Sequence, residues 1–277
     1  MIKRVAINLL TIFLVANILL LGVSFTIKDI CVDTVSDAMV KNTEVNKVLD
    51  VTKELAPNIT DEQYEKVKEA VSDSPKVKEI TEKYLNSAIE MIDNKNANSD
   101  AEIKSTVKSF VDENISTIEK ELSIKVTEDM KNKLYESLES KVEGESSYGN
   151  LVTKVTKNMN GTQKAMVKFY SAMTANSTKI ILFIVFIFII VLTALVKESL
   201  YKWILNFGGA ALTAGIISIL LTNLISSRLQ TRLTNNLLGK TATIAIDPMV
   251  NFGIISMVAG IIMLIIYFIL SKRLNKE

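Results

Sequence analysis

The 277-residue sequence has no histidine and a single cysteine, Cys31. Without imidazole there is no His-based acid–base catalysis, and one thiol can neither close an internal disulfide nor complete a Cys/His zinc site. Prolines number three and glycines ten, and only three of the glycines fall between Ile27 and Thr178. Strand-type alternation is equally rare in that region, which disfavours a β-sandwich and leaves α-helix as the expectation. Arginine occurs four times and lies only near the ends of apolar segments. A lysine-, asparagine- and isoleucine-rich chain of this kind suits an AT-rich bacterial genome. The sequons at Asn58, Asn114, Asn160 and Asn176 therefore read as incidental.

Hydrophobic residues make up 48% of the chain, the mean hydropathy is +0.28, and yet 22% of residues are charged. The two populations are segregated. Residues 27–178 carry 21 lysines and no arginine against 27 acidic side chains, whereas the rest carries 11 basic and 3 acidic ones. The positive charges outside the acidic region cluster at the ends of apolar segments, as membrane anchors do, and form no basic face for nucleic acid.

Four apolar segments are long enough to cross a bilayer: Val5–Phe25, Ile180–Val196, Trp203–Ile225 and Phe252–Leu270. The first follows Lys3-Arg4 and reads as an uncleaved signal anchor over residues 1–26, although Gly22-Val23-Ser24 resembles a cleavage site. Cys31 lies just beyond it. Lys28, Asp29 and Ile30 lack the small residues of a lipoprotein signal, so the thiol reads as an ordinary small side chain, with an intermolecular disulfide or acylation as the other reading.

Residues 27–178 read as a helical domain with stalks. Apolar residues recur at spacings of three and four over Ile103–Leu122 and Val77–Ile92. Ser99/Glu102 and Thr60/Gln63 are spaced as capping boxes, Ser74-Pro75 starts another helix, and Thr127 precedes a further one ending near Gly144–Gly149. Ile27, Ile30, Val35 and Met39 continue the first span in helical phase. Leu151 through Met173 leads into the second, so one helix is expected from about Asn150 to Val196. Met159, Met166 and Met173 recur every seven residues there and read as a packing stripe against the first stalk, or as an adaptable partner surface.

Residues 179–277 read as a three-span membrane bundle. Ala211 and Gly215 stand in small-xxx-small spacing, with Gly253 and Gly260 available on the last span, a pattern for close helix contact. Residues 226–249, with Leu229, Leu233 and Leu237 beside Arg228 and Arg232, read as an interfacial helix or as an extension of the preceding span.

Placing the N-terminus inside puts Lys3, Arg4, Lys197, Lys202, Lys272, Arg273 and Lys276 in the cytoplasm, against Lys179, Arg228, Arg232 and Lys240 outside. The expected fold is all-α: a four-span helical membrane protein with an extracytoplasmic helical-bundle domain, residues 27–178, inserted between spans 1 and 2. Both termini are then cytoplasmic.

No chemistry-bearing pattern stands out. The spans hold uncharged polar residues, Asn8, Asn17, Asn206, Thr213 and Asn223, which suits interhelical hydrogen bonds better than a proton or ion path. The run Asn94, Asn96, Asn98, Asp100 has Ser99 and Ser105 where a calcium loop requires Gly and Glu. Asp61-Glu62, Asp112-Glu113 and Glu128-Asp129 sit among caps and solvated faces, and no phosphate loop or nucleophile elbow occurs. The expectation is a non-enzymatic protein without cofactor or metal. Its partners would be the lipid bilayer and a protein, either an envelope component or a second copy, met through the helical domain or the small-residue membrane face. Its role would be sensing or interaction, with an accessory subunit of a transport or secretion complex as the alternative. In outline the organisation resembles bacterial chemoreceptor sensing modules, though without their cytoplasmic signalling region or any shared motif.

Overall fold

The structure, a computed structural model of the chain, describes residues 2–42, 60–63, 65–66, 75–92, 105, 108–109, 111–116, 119–120, 125–142, 159–199, 201–236 and 243–274. Among the described residues there is helix and no strand. Seven helices organise them: α1 (Ile2–Asn42), α2 (Pro75–Ile92), α3 (Glu128–Val142), α4 (Gly161–Thr174), α5 (Asn176–Lys197), α6 (Trp203–Asn236) and α7 (Asp247–Leu274). The chain divides into two compact units, one of residues 1–31, 169–229 and 244–277, the other of residues 32–168 and 230–243.

Local sequence accounts for most helix starts. At Thr60 the side-chain oxygen accepts from the Gln63 amide at 3.3 Å while Gln63 returns its Oε1 to the Thr60 amide at 3.1 Å, a reciprocal capping box. Asn160 and Gln163 do the same at the head of α4, both bonds 2.9 Å. Gly161 is therefore the first residue of α4. Thr127 caps α3 through the Met130 amide, and Pro75 occupies the first position of α2. The expected capping box at Ser99 and Glu102, and the loop at 144–149, lie outside the described residues.

Four helices are long and apolar enough to cross a membrane: α1 over Ile2–Asp37, α5, α6 over Trp203–Arg228, and α7. That is the architecture of a multi-pass membrane protein. Many of their large apolar side chains face outward, among them Phe13, Ile181, Phe183, Phe188, Leu224, Ile255 and Phe268. So much exposed apolar surface on a water-soluble protein would aggregate, whereas hydrocarbon covers it at no cost. At about 1.5 Å per residue α1 is roughly 60 Å long, twice the hydrocarbon thickness of about 30 Å, so much of it lies beyond the bilayer core.

α6 continues past Ile225 to Asn236, the extension of the preceding span that the sequence offered, because residues 226–236 contain neither Pro nor Gly to stop it. Two other helix boundaries differ from the sequence pattern. α7 begins five residues before Phe252, at Asp247-Pro248, where an acidic first-turn residue and a proline without an amide proton both favour a helix start. The expected single helix from Asn150 to Val196 is interrupted: α4 ends at Thr174, Ala175 is extended (φ −62°, ψ 132°), and α5 starts at Asn176.

In the membrane unit the core consists of Leu14, Ile18, Ile189, Ala210, Ala211 and Ala214, with Phe186, Phe207 and Phe252 packed around it. In the other unit Val32, Val77 and Val111 are buried, and the C-terminal part of α1 meets α2 through polar contacts. Ser36 donates to Thr81 at 2.9 Å, and Lys78 pairs with Asp33 at 2.7 Å. Asp37 accepts from the Thr243 hydroxyl at 2.6 Å.

Candidate functional site

Small and polar side chains meet where the membrane helices touch. α6 and α7 run antiparallel in close contact. A Cβ on Gly260 would stand 2.7 Å from the Gly208 carbonyl, and one on Gly253 3.0 Å from the Gly215 carbonyl. A Cβ on Gly215 would meet the Gly253 carbonyl at 2.5 Å, so both backbones approach as only glycine allows. Between these contacts Ser256 donates to the Ala211 carbonyl at 2.9 Å. Ala211, Gly215, Gly253 and Gly260 thus meet one another within the chain. Gly22 of α1 is covered by the Phe252 ring, which leaves no room for a side chain there.

Asparagines join the spans. Asn206 of α6 donates to Thr11 of α1 at 2.6 Å, and Thr11 passes its own proton to the Ile7 carbonyl at 2.9 Å. Asn17 of α1 donates to the Leu182 carbonyl of α5 at 3.3 Å. Its carbonyl oxygen, on a side chain 4% exposed, has no hydrogen-bond partner among the described residues. Asn8 and Asn223 are exposed on their helices.

Two recesses are apolar. One of about 280 Å³ is walled by Leu19, Val23, Ile27, Leu221, Ile225, Ile246 and Met249. The hydroxyls on its lining bond to the backbone: Thr26 to Gly22 at 2.8 Å, Thr222 to Ser218 at 2.6 Å, Ser226 to Asn223 at 3.1 Å and Ser218 to Met249 at 3.4 Å. The other, of about 460 Å³, runs along α1 and α5 past Phe13, Asn17, Val185 and Phe188. Neither recess brings together groups for acid–base or nucleophilic chemistry, and among the described residues no cluster of three His, Cys, Asp or Glu could hold a metal ion.

At one end of the bundle the Lys3 ammonium meets the Glu198 carboxylate at 2.9 Å. Glu198 follows α5 in the left-handed region (φ 50°), and its amide and that of Ser199 close the helix on Leu195 and Ala194. Lys3 holds the Glu198 carboxyl below the usual range. The start of span 1 and the end of span 2 therefore share one face of the bundle.

In the other unit Asp112 accepts from Lys131 at 2.6 Å and from the Tyr135 hydroxyl, and Lys108 lies 4.9 Å from the Tyr135 ring centre. Lys131 and then Tyr135 hold Asp112 below the usual carboxylate range. Desolvation, followed by the bond to Asp112, pushes Tyr135 up. Asp112 and Lys108 are exposed and Lys131 and Tyr135 half-buried, and the arrangement is a surface cross-link between residues 111–116 and α3.

The methionine stripe does not share one environment. Met173 is buried, Met166 is 62% exposed, and Met159 precedes α4. Cys31 is a free, half-buried thiol in α1. Sequence reasoning passed over Ser24 and Thr11, which engage neighbouring helices, since an isolated hydroxyl in an apolar run gives no periodic signal. Gly208, seven residues before Gly215 among the small residues of the same span, lies on the same contact face.

The chain matches no protein-family model, no curated protein and no solved structure.

Proposed function

We propose that this is a non-enzymatic protein of the bacterial cell membrane. Both termini are cytoplasmic, and residues 27–178 form an extracytoplasmic helical domain that binds an envelope component or protein and is coupled to the membrane bundle. The observation that carries the reading is the character of the four spans. Residues 5–27, 180–196, 203–227 and 248–271 contain no Asp, Glu, Lys, Arg or His, and Asn206, Asn17 and Ser256 among them join helix to helix. Pumps and proton-coupled carriers need an ionisable group at depth, so such a bundle suits anchoring and relay rather than transport. The Lys3–Glu198 pair sets the N-terminal end of span 1 beside the turn between spans 2 and 3, as an even number of crossings between them requires, and the charge count assigns that side to the cytoplasm.

An accessory subunit of a transport or secretion complex would need a free small-residue face. α7 already covers Ala211 and Gly215, which favours the first reading. Purification in mild detergent separates the two. A sensor or interaction protein lacks a stoichiometric channel subunit and changes its residue 27–178 protection when envelope extract is added. A channel or translocase subunit that copurifies at fixed ratio would overturn the assignment.

A further inference from the structure

The break at Ala175 has no local cause. Thr174-Ala175-Asn176-Ser177 contains neither Pro nor Gly, alanine is the best helix former, and it is a poor N-cap. α5 accordingly begins with no side-chain cap bond, only the Thr178 and Lys179 amides turning back to the Ala175 carbonyl at 3.1 and 3.3 Å. Sharp helix breaks without Pro or Gly arise where a side chain enters the i→i−4 ladder. Here that side chain is Ser24 of α1. In an uninterrupted helix the Met173 carbonyl would accept from the Ser177 amide. In the structure it accepts instead from the Ser24 hydroxyl at 2.6 Å, with Ser24 fully buried. Thr174 turns its hydroxyl back to the Tyr170 and Ser171 carbonyls at 3.0 and 3.2 Å, which finishes α4 at the same point.

We propose that residues 174–177 are a two-state joint: broken when Ser24 holds the Met173 carbonyl, and a continuous helix when it does not. The straight state restores the backbone bonds that the break removes. Ser24 loses nothing it cannot replace, because a hydroxyl in an apolar helix bonds readily to the carbonyl four residues back, as Thr26, Thr193 and Thr222 do in this chain. The broken state keeps the Ser24–Met173 bond and the straight state regains backbone bonds, so the two differ by a few hydrogen bonds and by packing, within reach of a modest load on the helix. The joint gives the proposed coupling a moving part and rests on that reading only for its use.

The test reads the joint itself, with no partner present. Spin labels are placed at Phe169→Cys and Ile187→Cys, both exposed positions, in the Cys31→Ser chain in lipid nanodiscs. A continuous helix separates these backbones by about 27 Å, and a break shortens the distance. The wild-type distribution should contain a dominant short component and a minor one near the straight value. Ser24→Ala should move the ratio toward straight by roughly fivefold, the worth of one hydrogen bond. Asn176→Pro, which drives Ala175 to the extended ψ it already has, should abolish the long component with or without Ser24. Should Ser24→Ala fail to fold, the wild type and Asn176→Pro still decide. A wild type with only one component, or a long component that survives Asn176→Pro, overturns the joint. A folded Ser24→Ala chain with an unchanged ratio overturns the role of Ser24.

Discussion

Ser256 on α7 gives its hydroxyl proton to the Ala211 carbonyl on α6, 2.9 Å away, midway between the Gly208–Gly260 and Gly215–Gly253 approaches. Without an aqueous hydrophobic effect between lipid-immersed helices, close backbone packing and such bonds are what hold spans together. A methyl group at Gly260 collides with two backbone atoms of α6, whereas one at Gly209 has open space. Gly260→Ala should destabilise the bundle by about 1–3 kcal/mol, the usual effect of overpacking. Gly209→Ala should be neutral or stabilising by up to about 1 kcal/mol. Thermal unfolding in detergent, followed by circular dichroism, compares them; equal melting shifts would place the contact elsewhere.

The two asparagines that bond across spans should behave oppositely. Asn206 has a good acceptor in Thr11, so Thr11→Val strands its amide and should lower stability by about 1–2 kcal/mol. Asn17 has a 3.3 Å bond to Leu182 and an unpaired carbonyl. Asn17→Leu removes that unsatisfied group from an apolar setting and should leave the melting temperature unchanged or raise it. A large loss on Asn17→Leu would show that its carbonyl has a partner in the membrane.

These contacts mark what the sequence could and could not say. Ile180–Val196 announced a span by length alone, and the Thr60, Thr127 and Pro75 helix starts followed from side-chain chemistry that acts within one turn. The glycines at 215, 253 and 260 were legible as a close-contact pattern, but not their pairing, which depends on how two spans are set side by side. Ser24 and Thr11 were illegible, because a hydroxyl that satisfies itself within its own helix looks the same in sequence as one that reaches across. The break at Ala175 was illegible for the same reason: the Ser24 hydroxyl that takes the Met173 carbonyl stands 149 residues from it along the chain.

Asp112 should give the helical unit a small acid dependence. Its carboxyl is held below the usual range by Lys131 and Tyr135, so the folded state binds a proton less readily than the unfolded chain, whose carboxylates titrate near about 4. The contribution is therefore present above that pH and is lost as pH falls through the lower folded value. Because the pair is exposed, solvent screening keeps the contribution small. Wild type should melt slightly above Asp112→Asn at pH 6, and the gap should narrow as the pH falls below about 4. A gap that persists in acid would mean the residue acts by packing rather than charge.

The measurement that bears most directly on the proposed architecture is the sidedness of three single cysteines in the Cys31→Ser chain, introduced at Lys125, Glu198 and Lys272 and labelled in cells with a membrane-impermeant maleimide. An extracytoplasmic helical domain between spans 1 and 2 predicts that Lys125→Cys is labelled in intact cells, while Glu198→Cys and Lys272→Cys are labelled only after permeabilisation. Labelling of Glu198→Cys and Lys272→Cys in intact cells, with Lys125→Cys protected until lysis, would contradict it.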